Sequence, residues 1–272
     1  MKRVFHLLSK LPDEANPRTT RSAADVVRLL VFLTAGTLFF PAVATATSVV
    51  ALIDNTNHRV VIAADCRVNR EVDSLSECKI ITEPGCTVAI AGLYEEKTTA
   101  FDLRQLAAAA CRDPGDLRAK AEAFLRFSKI PYERAVRHIR AADPSDFGRT
   151  IENKPTEVIF AGLQEGHLTL FVRGLVSDSK GTVATERYES TGTANSSIGY
   201  FVGLNRHIRE HVNSRDQWEH IGYLAAARQF VEMEIKANPD LAAPPISELE
   251  IDDHGQVHWI SKGVCDDARE AD

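Results

Sequence analysis

Hydrophobic residues in the first part of the predicted globular region fall in short β-branched runs separated by polar turns. TSVVALID (47–54) and RVVIAADCR (59–67) are joined by the turn-forming NTNH, a pattern that predicts a β-hairpin. KIITE (79–83) and CTVAIAG (86–92) are separated by Pro-Gly and predict a second pair of strands. TVAIAG is apolar almost throughout, which indicates a strand buried on both faces.

Helical patterns follow. EEKTTAFDLRQLAAAAC (95–111) combines good helix formers with acidic residues in its first turn, and helical character continues to about residue 142. Asp143-Pro144 is expected to end it. The later segments alternate again: we predict strands over 156–163, 167–174 and 182–190, helices around 195–212 and 217–236, and a terminal β pair formed by ISELEIDD and QVHWIS.

The predicted order of elements is therefore ββββ, αα, βββ, αα, ββ. Two antiparallel sheets with helices on their outer faces would bury every apolar face in this order. The sequence thus predicts an α+β fold, a four-layer αββα sandwich. No internal repeat, low-complexity tract or linker interrupts 47–272, so we expect a single domain.

The N-terminal segment has the features of a secretory signal peptide. Residues 1–28 are polar and carry six basic side chains, and LLVFLTAGTLFF (29–40) is a short apolar core. Two overlapping Ala-x-Ala triplets follow within 42–46. Positive region, apolar core and Ala-x-Ala in this order predict that 1–46 is a cleaved leader and that the protein is periplasmic or secreted.

A retained membrane anchor is the alternative. No charged residue occurs from Leu29 to Ile53, and these 25 residues are enough to span a bilayer. Pro41, the small residues after it and the strand pattern of SVVALID favour the cleaved leader, with membrane contact only during export.

Composition and charge argue for an ordinary globular protein. The chain of 272 residues is 44% hydrophobic and 26% charged, with a net charge of −6. Loss of the leader, with its six basic and three acidic residues, changes this to −9, so no nucleic-acid partner is expected. The five cysteines form no CxxC or zinc-like spacing, and export would allow some to pair, leaving at least one without an intramolecular partner. They are Cys66, Cys78, Cys86, Cys111 and Cys265.

The segment 47–96 resembles the start of a proteasome β-type subunit, a member of the N-terminal-nucleophile (Ntn) hydrolases. The matching features are a leading Thr47-Ser48 before an apolar strand, a strand that ends Ala-Ala-Asp-x-Arg, Lys79-Ile80, and a strand that ends Ala91-Gly92. Beyond residue 100 the similarity thins. The family fold is the αββα sandwich, in agreement with the pattern of elements.

Carried over residue by residue, the resemblance implies Thr47 as the nucleophile, Asp65 and Lys79 as its ionic support, and Gly92 as the oxyanion donor. It implies hydrolysis of an amide bond, in a peptide or a small acyl amide, without cofactor or metal. It also implies assembly into a homo-oligomeric ring.

Three further positions match less well. Thr191-Gly192 falls where the family has Ser-Gly, and Asp240 falls roughly where it has the aspartate of Asp-x-x-Ser. Ala243 then stands in place of the auxiliary serine. This departure keeps a second reading open, a structural or assembly subunit of the same fold with weak or no activity.

The implied chemistry explains why a threonine must come first in the mature chain. A neutral hydroxyl needs a base within hydrogen-bond reach, and a free α-amine with a pKa near 8 supplies one on the same residue. The two Ala-x-Ala triplets offer cleavage before Thr45 or before Thr47. Thr47 has the register of the family, whereas cleavage before Thr45 would leave its amine blocked by two residues.

A zinc peptidase is a third reading. His207, Glu210 and His211 fit the HxxEH pattern on a predicted helix, where the two histidines would lie one turn apart on one face. Such a site also needs a distal ligand, for which Glu232 is the candidate. The surrounding NRHIREHVNSRD equally fits a solvated, charged helix face.

Overall fold

The computed structural model describes residues 47–69, 74–192, 198–212 and 216–265. The leader predicted over 1–46 lies outside these ranges. The strands are β1 (Ser48–Asp54), β2 (Arg59–Asp65), β3 (Arg67–Asn69), β4 (Ser74–Ser76), β5 (Ile80–Glu83), β6 (Cys86–Ala91), β7 (Glu95–Glu96), β8 (Phe101–Asp102), β9 (Pro155–Gln164), β10 (His167–Ser177), β11 (Val183–Thr191), β12 (Ile198–Gly203), β13 (Ile246–Ile251) and β14 (Val257–Ser261). The helices are α1 (Leu103–Arg112), α2 (Leu117–Ala142), α3 (Pro144–Thr150), α4 (Arg206–His211), α5 (Asp216–Ile221) and α6 (Tyr223–Ala237).

The fold is α+β and is built on two five-stranded sheets. The first sheet has the order β12-β1-β2-β13-β14, and the second has the order β11-β10-β9-β6-β5. Every strand pairing within both sheets is antiparallel. The two hairpins predicted near the start are confirmed, with β1 paired to β2 and β5 paired to β6.

Alternation along β1 and β6 shows how both sheets are buried on two faces. Val49 and Ala51 of β1 join a core cluster that also contains Ala89 of β6, whereas Val50 and Leu52 join a different cluster. Successive side chains of a strand point to opposite faces, so a strand that is apolar throughout needs cover on both sides. All six residues of β6 are buried, as the sequence predicted.

Helices supply that cover. Apolar side chains of α1 and α2 share a core cluster with Val88, Phe160 and Phe171 of the second sheet. Residues of α6, among them Phe230 and Val231, share another with the first sheet. No helix within the described ranges is both long enough and apolar enough to cross a membrane. The end of the uncharged run considered as an anchor, from Ser48 onward, is strand β1.

The helix predicted over 95–111 begins later than expected. Glu95 and Glu96 form a short bridge with the chain at Phe101, and α1 starts at Leu103 behind an Asp102 cap. Carboxylate oxygens of the buried Glu96 accept hydrogen bonds from the backbone of residues 98 and 99, so this acidic residue orders a turn instead of a first helical turn. The prediction was wrong here because these local side-chain-to-backbone hydrogen bonds compete with the helix.

The helix predicted around 195–212 is wrong in its first half. Residues 198–203 form β12, which pairs with β1 and completes the edge of the first sheet, and within 198–212 only α4 is helical. A third helix, α3, also follows Asp143-Pro144, where the chain was expected only to leave the helix. Asp143 serves as the C-cap of α2 and as the N-cap of α3, with Pro144 in the first helical turn.

Four of the five cysteines are paired. Cys78 is bonded to Cys265 and Cys86 to Cys111, whereas Cys66 is free and buried. Disulfides persist in oxidising compartments, so the pairing is compatible with an exported protein. The structure thus identifies the two disulfide pairs, which the sequence left open.

Removal of the Cys78–Cys265 disulfide should lower the free energy of unfolding by about 2–5 kcal/mol, because it closes a loop of 187 residues. The measurement is urea unfolding of the Cys78→Ser/Cys265→Ser double variant. The matched control is Cys86→Ser/Cys111→Ser, whose disulfide spans 25 residues and should contribute less. A Cys78–Cys265 variant as stable as the oxidised wild type would contradict the expectation.

Candidate active site

Thr47 lies directly before β1 and is buried, with 2% of its surface exposed. Its backbone is held from both sides. The carbonyl oxygen of Thr47 accepts a hydrogen bond from the Leu204 amide at 2.7 Å, and the next amide, of Ser48, donates to Oδ1 of Asp65 at 2.7 Å. The main chain at Thr47 is therefore fixed at the beginning of β1.

Lys79 brings a buried ammonium to the Thr47 hydroxyl. Its Nζ donates to Oγ1 of Thr47 at 2.5 Å and also donates to the carbonyl oxygen of Arg67. The same nitrogen lies 3.9 Å from Oδ1 of Asp65. Lys79 is 1% exposed and Asp65 is fully buried. Lys79 thus lies within contact distance of Thr47 and Asp65, the two residues with which the resemblance groups it. Thr47 and Asp65 lie at the ends of the β1–β2 hairpin of the first sheet, whereas Lys79 directly precedes a strand of the second sheet.

Burial dominates the electrostatics of this pair. Removal from water lowers the pKa of the Lys79 ammonium, and the carboxylate of Asp65 opposes that shift. Burial likewise raises the pKa of Asp65, against the opposing effects of Lys79 and of backbone N–H donors, among them those of Ser48 and Arg67. An ammonium with a lowered pKa gives up a proton more easily, and it lies within hydrogen-bond distance of a hydroxyl.

Gly92 lies where β6 ends and lines the same cavity as Thr47. Its φ is +106°, and a Cβ there would lie 2.6 Å from Cα of Thr156 in β9. Glycine is therefore required by the close approach of β9, in addition to any role toward a substrate carbonyl. The next amide, of Leu93, donates to Oγ1 of Thr156 at 2.9 Å.

The cavity beside Thr47 has a volume of about 420 Å³. Its described lining is mainly apolar side chain and backbone, with two basic residues. The lining residues are Thr47, Gly92, Leu93, Arg149, Thr150, Ile151, Lys154, Pro155, Thr156, Gly203, Leu204 and Leu241. A volume of this size is at the lower end of small-molecule pockets.

Gly203 also fixes the Thr47 backbone. It has a φ of +73°, and a Cβ added there would lie 2.0 Å from the carbonyl oxygen of Thr47. Gly203 pairs with Ser48 in the sheet. The structure therefore requires glycine for its left-handed backbone and for the closeness of the neighbouring chain.

Gly203→Ala should lower the free energy of unfolding by about 3 kcal/mol or more, because it combines backbone strain with a steric clash. Gly222→Ala is the matched control. Gly222 has a φ of +84° and nothing within 4 Å of its added Cβ, so this change adds the strain alone, roughly 1 kcal/mol. Chemical denaturation measures both. Equal losses would show that the contact with Thr47 costs nothing.

The structure does not bring Thr191 to Thr47. Thr191 is exposed at the end of β11 and its Oγ1 accepts a hydrogen bond from Oγ1 of Thr169 at 3.3 Å. The row of paired residues nearest the site includes Ala91, Glu157 and Glu186. Thr191 lies five residues further along the same strand as Glu186, which corresponds to about 17 Å.

Asp240 lies in the loop after α6 and is exposed, whereas the neighbouring Leu241 lines the cavity. Ala243 reaches the site through its backbone. Its amide hydrogen bonds to the carboxylate of Asp65, and its carbonyl accepts from the amide of Cys66 at 3.4 Å. The segment that the resemblance placed here is therefore adjacent to Asp65, but it contributes main chain where the family has a hydroxyl.

The HxxEH residues lie on α4 without forming a metal site. Glu210 accepts from Arg206 at 2.9 Å, and Nδ1 of His211 lies 2.8 Å from the carbonyl oxygen of His207. No group of three potential ligands, with Glu232 or otherwise, is found in the part of the chain that the structure describes. The arrangement is that of a charged, exposed helix face.

Sequence reasoning missed the contributions made by main-chain atoms. These are the Arg67 carbonyl that accepts from Lys79, the Leu204 amide that anchors Thr47, and the close approach of the Thr47 carbonyl to Gly203. Arg67 belongs to the matched Ala-Ala-Asp-x-Arg motif, but its side chain gives no sign that its carbonyl is used. The available signal for Gly203 was a glycine at the end of the largely apolar run IGYFVG.

No protein-family model matches the sequence, and no curated protein matches it. The functional interpretation therefore depends on the geometry around Thr47.

Proposed function

We propose that the protein is an amide-bond hydrolase of the N-terminal-nucleophile type, in which Thr47 becomes the nucleophile once the leader is removed. The observation that carries the proposal is the buried hydrogen bond from Lys79 Nζ to Thr47 Oγ1, with Asp65 beside the same ammonium. A lysine and an aspartate buried against a hydroxyl are costly to maintain for stability alone. Thr47, to which Lys79 donates, lines a cavity, and this supports a catalytic use.

The layers of the fold support the same proposal. An apolar cluster joins the two sheets, a second joins α1 and α2 to one sheet, and a third joins α6 to the other. This order is the one expected of the four-layer αββα sandwich of Ntn hydrolases, with the proteasome β-type subunit as the resembling family. Thr47 at the beginning of the first strand is consistent with that architecture.

In the first half of the proposed reaction, the free α-amine of Thr47 accepts the proton of Oγ1 while Oγ1 attacks the substrate carbonyl. Lys79 in its charged form stabilises the negative charge that develops on Oγ1. The backbone amide of Gly92 is proposed to donate to the oxyanion of the tetrahedral intermediate. Collapse of the intermediate transfers the proton to the leaving nitrogen, releases the amine product and leaves an acyl ester on Thr47.

In the second half, water adds to the ester carbonyl and the α-amine of Thr47 takes the water proton. The same donors stabilise the second oxyanion. Breaking of the ester C–O bond returns the proton to Oγ1 and releases the carboxylic acid. The fixed backbone around Thr47, anchored by Leu204 and Asp65, keeps both reacting groups in position through the two steps.

The proposal is tested on the exported protein by intact mass and N-terminal sequencing. The sample is then labelled with an electrophile that bonds to both the hydroxyl and the free amine of an N-terminal threonine. We expect a mature chain that begins at Thr47 and a single adduct on that residue. A chain that begins at Thr45 or Ser48, or an unlabelled Thr47, would contradict the mechanism and favour a structural subunit of the same fold.

A further inference from the structure

The cavity beside Thr47 combines an apolar body with a basic rim. Leu93, Ile151 and Leu204 contribute apolar surface close to the proposed nucleophile. Arg149 and Lys154 are the charged residues of its described lining. The acyl part of a substrate must lie next to Oγ1 of Thr47, so the lining of this cavity determines which acyl groups are accepted.

The two basic side chains differ in how far their charge is compensated. The guanidinium of Arg149 donates to Asp146 at 2.5 Å, so much of its charge already has a partner. The ammonium of Lys154 donates to the carbonyl oxygen of Arg149, and no carboxylate of the described ranges lies within ion-pair distance of it. Lys154 therefore offers a net positive charge at the cavity.

This positive charge is opposite in sign to the net charge of the domain. Residues 47–272 carry a net charge of −9, which repels anions in general. A basic residue at the mouth of an apolar cavity has the charge complementary to an anionic ligand. Carboxylates are the common anions that such an ammonium pairs with through charge-assisted hydrogen bonds.

We infer that the cavity selects substrates whose acyl group is apolar in its middle and ends in a carboxylate, as in the half-amides of dicarboxylic acids. The inference rests on the proposed function of Thr47. The scissile amide lies at Thr47, the methylene chain lies against the apolar lining, and the distal carboxylate pairs with Lys154. A volume of about 420 Å³ is large enough for one such group.

The experiment measures binding, so that it does not depend on turnover. Thr47→Ala protein is titrated calorimetrically with the monoamides of glutaric, adipic and suberic acid and with the corresponding diamides, which match them in size and lack the charge. We expect at least one monoamide to bind roughly fivefold more tightly than its diamide, and the preference to diminish at high salt. Lys154→Gln should remove the preference and leave the affinity for the diamide unchanged.

Lys180→Gln is the matched control, since Lys180 is exposed in the turn before β11 and does not line the cavity. It should leave the preference intact. Leu241→Ser should weaken monoamide and diamide alike, because it replaces an apolar side chain of the cavity lining. Equal affinity for every pair, a preference that survives Lys154→Gln, or no binding of either series would overturn the inference.

Failure of the inference and failure of the proposed function can be told apart. A protein that is labelled at Thr47 and hydrolyses amides without preference for a distal carboxylate retains the function and loses the inference. A protein that binds the monoamides through Lys154 but has an unreactive Thr47 retains the binding site and loses the hydrolase proposal.

Discussion

Replacement of Thr47 by alanine is expected to lower kcat for amide hydrolysis by about a thousandfold or more, because it removes the atom that forms the acyl ester. The fold should survive the change. The contacts of Thr47 that hold the chain are made by its carbonyl oxygen and by the following amide, and both remain in the variant. The measurement compares initial rates of Thr47→Ala and wild type, both with the leader removed, on a peptide amide.

Two further variants show whether the loss of activity is due to the hydroxyl at position 47. Thr47→Ser keeps a hydroxyl and an α-amine, so it should retain measurable activity well above that of Thr47→Ala. Thr185→Ala removes the hydroxyl of a threonine in β11, where it accepts a hydrogen bond from Arg187, and should leave the rate unchanged. If Thr47→Ala keeps the wild-type rate, Thr47 is not the nucleophile and the hydrolase proposal fails.

The part of the site that could be predicted from the sequence is the part encoded in one hairpin. A strand pair joined by a four-residue turn places the start of β1 beside the end of β2, and the register indeed aligns Val49 with Ala64. Asp65 must then lie next to Ser48 and Thr47. This adjacency follows from the period of the strands and from turn chemistry, which are local properties of the sequence.

Lys79 could not be placed by such reasoning. It precedes β5 at the edge of the other sheet, and its contact with Thr47 depends on how the two sheets pack. Only the resemblance to a known family placed it at the nucleophile. Thr191 was grouped with the site in the same way, but the long β11 carries it away from the row of residues near Thr47.

The two misassigned elements have different physical causes. Residues 198–203 were predicted to be helical, yet they form an edge strand because β1 offers an unpaired edge that must be satisfied. Glu95 and Glu96 have good helix propensity, but hydrogen bonds from the following turn hold Glu96 outside the helix. Long-range pairing thus overrides local propensity at 198–203, and a single sequence does not display that pairing, whereas at Glu96 local side-chain-to-backbone hydrogen bonds compete with the helix.

Lys79→Met should also abolish activity and, in contrast to Thr47→Ala, should destabilise the protein. The Asp65 carboxylate would remain buried without its ammonium, and breaking a buried pair in this way costs about 3–5 kcal/mol. Asp65→Asn/Lys79→Met removes both charges and should recover most of the lost stability, while activity stays absent. Denaturant unfolding at neutral pH and the amide-hydrolysis rate together separate the electrostatic role of Lys79 in folding from its role at Thr47.

The pH dependence of the single variant provides an independent test. Burial already raises the pKa of Asp65, and loss of the neighbouring Lys79 removes a charge that opposes the shift. A carboxyl whose pKa is higher in the folded than in the unfolded state binds its proton more tightly when folded. The stabilisation that proton binding to Asp65 gives the folded state is therefore full below the unfolded pKa, near 4, and is lost as pH rises through the folded pKa.

Lys79→Met should accordingly approach wild-type stability in acid and fall behind it toward neutral pH, whereas the stability deficit of Asp65→Asn/Lys79→Met should not change in this way. A deficit of Lys79→Met that is constant with pH would show that packing, and not the unpaired Asp65 carboxylate, causes the loss.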